Sequence, residues 1–351
     1  MSHLPLSCVF EAASNTSHFP SAGTTVLSSI EANGLDTFNI RRLGHEYPAT
    51  RTAQYVAVND GHKNLVLGMA DMAIFSQHSF PNYWNSAVKA AKPKWLVVDG
   101  NWAEKDIHAW VRSGRRHGAR VAFEPVSAAK SERLFAPPPK DATSPLLGVY
   151  PHASVDLATP NQFELSAMYA AATRGEYFES PGWFEIIDAF GMRGARDRFV
   201  RLTSAEMTDQ GIPVQTVQLL PYIPTIVTKM GANGALLTTI LRPEDPRLRD
   251  PEEARYILTR SSNDHPQVGG VYMRLFPAVE RVGDVVSVNG VGDTFLGVLI
   301  AGLAQGGRVE DLVDVAQRAA VLSLRSKESV SIELVGLKRQ VAAAARGEEK
   351  L

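Results

Sequence analysis

The stretch Ser287-Val288-Asn289-Gly290-Val291-Gly292-Asp293-Thr294-Phe295 decides how the rest of this chain is read. It opens the almost wholly apolar segment Phe295-Leu296-Gly297-Val298-Leu299-Ile300-Ala301-Gly302-Leu303. The pattern predicts a loop feeding a buried helix, with two glycines and an aspartate at the entrance. The first-turn N–H groups of a helix lack intrahelical acceptors and, with the helix dipole, form an anion site. Glycines there let a phosphate approach the backbone, and an acid beside that cradle can take a proton from an attacking hydroxyl. The chemistry suggested is phosphoryl transfer. The same residues also fit a plain Gly-rich turn with Asp293 as a cap.

Working outward, strand and helix patterns alternate through the chain, which predicts a parallel sheet covered on both faces. Trp95-Leu96-Val97-Val98-Asp99-Gly100 reads as a buried strand, Ile107 to His117 as a helix and Arg120-Val121-Ala122-Phe123-Glu124-Pro125 as the next strand. Ser154 to Ala158 leads into Thr159-Pro160-Asn161-Gln162-Phe163-Glu164 and a helix to Ala172. Thr225 to Thr228 is a strand, followed by Lys229-Met230-Gly231-Ala232-Asn233-Gly234 and the strand Ala235 to Leu237. Ligands of such sheets lie beyond the carboxyl ends of the strands, where these polar residues gather. Lys229 in this loop also fits a solvated charge.

Earlier in the chain, Val26, Leu27 and Ile30 have helical spacing that Gly34 ends, and Gly34 to Ile40 resembles a short strand that follows the second helix in the family the motifs below identify. Arg51 to Val58 and Asn64 to Met69 form a hairpin around Asn59-Asp60-Gly61. Between Leu241 and Pro277 lies a polar stretch dotted with Pro243, Pro246, Pro251 and Pro266, expected as a surface excursion. Leu312 to Leu324 is a further helix, and Arg339 to Leu351 a charged, fraying tail.

Three motifs in order, Asn161-x-x-Glu164, Thr228-Lys229-Met230-Gly231-Ala232-Asn233-Gly234 and Gly290-Val291-Gly292-Asp293, resemble those of the ribokinase-like (PfkB) family of sugar and nucleoside kinases. The resemblance implies an α/β fold, a ribokinase-like three-layer α/β/α sandwich with a mostly parallel central sheet and a small β lid. It implies Asp293 as the catalytic base and the amides of Gly290, Val291 and Gly292 as the anion hole. Nucleotide contacts fall to Asn161, Thr228, Gly231, Gly234 and Asn289, and substrate contacts from the lid to Thr52 and Gln54. ATP and Mg2+ are the implied cofactors, with Glu164 and Asn161 helping to hold the metal through water. Asn161 and Glu164 also have the spacing of a helix capping box.

Within the family the chain is most similar to pseudouridine kinases, the kinase half of fungal pseudouridine-metabolising bifunctional proteins. Arg51 to Val58, Met69-Ala70-Asp71-Met72, Val97 to Asn101, Thr159 to Glu164, Val288 to Asp293 and Glu328-Ser329-Val330-Ser331 carry this likeness, over roughly 23–335. It implies a nucleoside acceptor, a homodimer paired through the lid strands and association with a pseudouridine-5′-phosphate glycosidase. The family's first strand, with its substrate-binding Asp, has no counterpart before Gly23, and the chain is expected to lack that segment. The expected organisation is an irregular 1–22, a kinase domain over 23–338 with its lid near 50–70 and an insertion near 241–277, and the tail 339–351.

Composition narrows the partners. With 36 basic and 37 acidic residues and a net charge of −1, nothing points to a nucleic-acid polymer or a membrane surface. Cys8 is the lone cysteine, which excludes a disulfide framework and suits a cytoplasmic location. No apolar run is long enough to span a bilayer, and the nine histidines show no metal-ligand spacing.

Overall fold

In a computed structural model that describes residues 22–37, 40–43, 46–60, 65–137, 147–262 and 264–348, nine strands form two sheets. Each sheet belongs to its own compact unit: the residues up to Pro93 with Asn101–Asp106, and Lys94–Gly100 with Ile107 onward.

In the first unit, the helix Ala22–Ala32 ends at Gly34, whose φ of +70° suits a residue without a Cβ. β1 (Gln54–Asn59) pairs antiparallel with β2 (Leu65–Asp71), as the alternating pattern predicts. Gly61 of the expected turn lies outside the described residues. The strand expected over 34–40 does not form among the described residues: the Leu35 amide donates to Ile30 O at 3.1 Å and the Ile40 amide to Thr37 O at 3.0 Å, which are turn bonds and not a ladder. The unit packs around aromatic rings, with Trp102 lying 5.3 Å from Phe75 and 5.0 Å from Trp84, both edge-on.

The second unit holds seven strands: β3 (Trp95–Asp99), β4 (Arg120–Glu124), β5 (Leu157–Ala158), β6 (Thr225–Lys229), β7 (Ala235–Leu241), β8 (Ile257–Arg260) and β9 (Gly270–Phe276). Their order is β3-β4-β5-β6-β7-β9-β8. β3 to β6 are mutually parallel, and from β6 onward the neighbours are antiparallel, so the sheet is mixed. Helices flank it, as the α/β reading expects.

Every residue of β7 is buried, the signature of a strand covered on both faces. On one face Ala122, Leu157, Val227 and Leu237 pack with Phe295, Leu296 and Leu299 of the helix Val291–Ala304 and Leu312 and Val313 of the helix Val309–Leu324. The alternate residues Phe123, Ala158, Ile226 and Leu236 are fully buried on the other face.

The stretch expected as a surface excursion instead extends the sheet, because β9 inserts between β7 and β8. Its four prolines all fall in the connections, outside both strands. Arg247 anchors the first connection by pairing with Asp245 at 2.8 Å and with buried Glu310 at 3.2 Å.

Candidate active site

β4, β5 and β6 end side by side, and the polar residues that close them converge. Glu124 is the last residue of β4, Thr159 follows β5 and Lys229 closes β6. The Thr159 hydroxyl donates to Glu124 Oε2 at 2.8 Å, and Lys229 Nζ lies 3.2 Å from Glu124 Oε1. Glu124 is 5 % exposed, and burial raises its pKa above the ordinary carboxylate range. Lys229 and Thr159 oppose that rise, while the nearby charges of Asp293 and Glu164 add to it.

The glycine loop arrives from the other side. Gly290 precedes the helix Val291–Ala304 with φ +72°, and a Cβ there would lie 2.0 Å from the Ser329 carbonyl oxygen. Only glycine permits this approach, which brings Ser329 against the helix entrance. The first intrahelical bond is Thr294 N–H to Gly290 O, 2.8 Å, so the Val291, Gly292 and Asp293 amides precede it. No side chain caps this helix. A Cβ on Gly292 would lie 2.9 Å from Lys229 Nζ and 3.7 Å from Glu124 Oε1. The strand-end pair therefore sits against the helix's first turn, and Asp293 is exposed beside it.

The helix Gln162–Arg174 begins differently. The Asn161 side chain accepts from the Phe163 and Glu164 amides at 2.9 Å each, and Glu164 Oε2 accepts from the Asn161 amide at 2.7 Å. That is the complete capping box the spacing allowed. It leaves Glu164 one carboxylate oxygen outside the cap. Asn161 also bridges Lys229 in parallel register, with Lys229 N–H donating to Pro160 O at 2.7 Å, so both motifs share one edge of the site.

The neighbouring residues Thr228 and Lys229 face opposite ways. Thr228, expected to touch the nucleotide, is fully buried, and its hydroxyl has no hydrogen-bond partner. Successive strand residues face opposite ways, so Thr228 lies with Ile226 and Lys229 with Val227, on the side of the helix Val291–Ala304. Lys229, read as solvated, is the residue that reaches the site, with its side chain 18 % exposed. Gly234 has a structural reason of its own, since a Cβ there would lie 1.9 Å from Phe276 O, whereas Gly231 and Asn289 are open. Thr52 and Gln54 belong to the first unit, where Gln54 opens β1 opposite Asp71. Glu124 is a site residue whose sequence signal is an acid following the apolar run Val121-Ala122-Phe123.

Glu124 feels the charges of Asp293 and Glu164, and of these Glu164 keeps one carboxylate oxygen outside its cap. Among the described residues no three His, Cys, Asp or Glu side chains converge to hold a metal alone. A single carboxylate acting through water, as Glu164 could, is enough for magnesium, which keeps much of its water shell. None of the described helices is long and apolar enough to cross a membrane.

Residues 255–333 match the model of the pfkB family carbohydrate kinases. The chain is 31 % identical, over 288 residues, to a pseudouridine-metabolizing bifunctional protein of Schizosaccharomyces pombe. The match covers 81 % of this chain and 35 % of that protein, so the chain spans about a third of its relative's length. A ribokinase from Cryptococcus neoformans var. grubii in complex with ADP superposes with a TM-score of 0.55 at 15 % identity, covering 91 % of this chain and 79 % of that one. A Burkholderia thailandensis nucleoside kinase in complex with inosine gives 0.53 at 13 %, covering 93 % and 78 %. These two likenesses concern the fold.

Proposed function

We propose that this chain is a kinase of the PfkB carbohydrate kinase type and transfers the γ-phosphoryl group of ATP to the 5′-hydroxyl of pseudouridine. The observation that carries the reading is the uncapped, glycine-entered helix start with Asp293 beside it and the β4 to β6 strand ends against its first turn. Pseudouridine as acceptor is supported by the named relative and by the sequence motifs shared with pseudouridine kinases.

In this mechanism Asp293 accepts the proton as the acceptor oxygen bonds to the γ-phosphorus and the bond from that phosphorus to the bridging oxygen breaks, leaving ADP. The Val291, Gly292 and Asp293 amides stabilise charge on the transferring group. Glu164, with Glu124, would hold magnesium through water; when bound, magnesium neutralises charge on the phosphates. Positioning does most of the work, since phosphoryl transfer needs little covalent chemistry from the protein.

The test is ADP release by the purified chain with magnesium-ATP and pseudouridine, beside uridine, adenosine and ribose. Release is expected to depend on pseudouridine and to fall about a hundred- to ten-thousandfold in Asp293→Asn. A folded protein with no acceptor-dependent release refutes the reading, and a preference for another acceptor reassigns the substrate.

A further inference from the structure

The chain leaves β4 through a turn of the costly hand. Ser127 N–H donates to Pro125 O at 2.8 Å, closing a three-residue ring around Val126, whose φ is +70°. That is the γ-turn that L-residues rarely adopt, and a β-branched side chain makes it costlier still. The end of β3 boxes it in. Gly100 N–H donates to Glu124 O at 2.8 Å, a Cβ on Gly100 would lie 2.7 Å from Pro125 O, and Arg133 Nη1 donates to Gly100 O at 2.9 Å. Backbone strain of this kind survives only where its surroundings over-determine it, and it gathers at functional sites.

The turn stands between two acids of the site. Glu124 lies just before it, and just after it the short helix Ala128–Ser131 packs against the helix Gln162–Arg174, whose cap Glu164 closes. Fully buried Ser131 donates to Ala128 O at 2.7 Å and its hydroxyl lies 3.3 Å from Glu164 O. We propose that Val126 is a positioning residue, whose turn fixes Glu124 relative to Glu164 and so tunes the site's hold on a divalent cation with its nucleotide. This rests on the kinase reading above. A relaxed γ-turn has φ near about −75° and bends the chain the opposite way, so it would carry Ser131 off Glu164. Strain at Val126 is what holding both acids at one site costs.

The test is manganese(II) binding to the full chain in the presence of ADP, read as loss of the free ion's electron paramagnetic resonance signal, with melting temperatures measured alongside. Val126→Gly accepts a positive φ without strain and is expected to bind manganese within about twofold of the parent. Val126→Pro cannot take that φ, and Gly100→Ala pushes on Pro125 O from outside the turn. Each is expected to weaken manganese about tenfold, the lower range for a residue that orients metal-side groups. Should Val126→Pro fail to fold, Gly100→Ala decides. A folded Gly100→Ala or Val126→Pro with the parent's manganese affinity overturns the proposal, and a lowered melting temperature beside that affinity assigns the turn a purely structural role. A tenfold loss in Val126→Gly overturns it too, by assigning the effect to the valine side chain. If the parent binds manganese with ADP yet releases no ADP from ATP with any acceptor, the kinase reading fails while the variants still decide the turn. If the parent binds no manganese, both fall.

Discussion

Glu124 and Lys229 form an ion pair of 3.2 Å at the ends of β4 and β6, with the carboxylate almost fully buried and the lysine side chain 18 % exposed. Such a pair is a poor source of stability, because removing both charges from water offsets most of their attraction. Its position against Gly292 makes sense as a site component rather than as a brace.

Removing one member is expected to cost more than removing both. Glu124→Gln leaves a largely buried ammonium unpaired and is expected to lower stability by about 2 kcal/mol. Combined with Lys229→Met, it is expected to return to within about 1 kcal/mol of the parent. Urea unfolding of the two singles and the double closes the cycle, and simple additivity would show that the pair is not coupled.

Gly290 and Gly231 both have positive φ, at +72° and +57°, yet their surroundings differ. Gly231→Ala meets nothing within 4 Å and is expected to cost only about 1 kcal/mol of backbone strain. Gly290→Ala drives a methyl into the Ser329 carbonyl, so 326–330 must move and transfer should fail. Melting temperatures and ADP release of the two variants separate strain from collision; equal behaviour would contradict the contact.

Thr228→Val replaces a buried hydroxyl that has no partner with a methyl of similar shape. Nucleotide affinity is expected to stay within about twofold and stability to hold or rise by about 1 kcal/mol, the range for relieving an unpaired polar group. A tenfold loss of ATP affinity by titration would instead support the nucleotide contact expected of Thr228.

The contrast between Thr228 and Lys229 shows how far the sequence reached. The strand, its end and the glycine turn after it were legible, because an apolar run followed by polar and glycine residues has few other meanings. Which residue faces the nucleotide helix was not. β6 is buried on both faces, so the alternation of apolar and polar residues that reports a strand's facing is absent. Glu124 was hidden for the same reason, and β8 and β9 were hidden by the prolines of their connections. The Gly290 to Asp293 entrance was readable because its glycines, its acid and the apolar helix after it all lie within one short stretch.

His108 carries a pH signal from outside the site. It is 3 % exposed, neither ring nitrogen has a hydrogen-bond partner, and burial, with the Arg112 charge second, lowers its pKa to about 4. The unfolded chain takes up this proton near pH 6.5, and the folded chain only near pH 4, so the unfolded state binds more protons between those values. Stability is therefore expected to decline as pH falls from 6.5 to 4, by on the order of 3 kcal/mol from this group. His108→Leu should flatten that part of the profile. Denaturant midpoints at pH 7 and 4.5 for both proteins measure it, and parallel slopes would assign the acid sensitivity elsewhere.

Glu164 holds two roles that one substitution can separate. Its Oε2 closes the capping box on the Asn161 amide, and a neutral amide oxygen can accept the same bond. Glu164→Gln is thus expected to keep stability within about 0.5 kcal/mol, while Glu164→Ala loses about 1 kcal/mol with the cap. If the carboxylate also helps to hold magnesium, Glu164→Gln will need several-fold more magnesium for half-maximal ADP release despite its intact fold. A magnesium titration that overlays the parent's, from a variant that melts like the parent, would leave Glu164 as a helix cap and move the metal's protein contacts to Glu124 and Asp293.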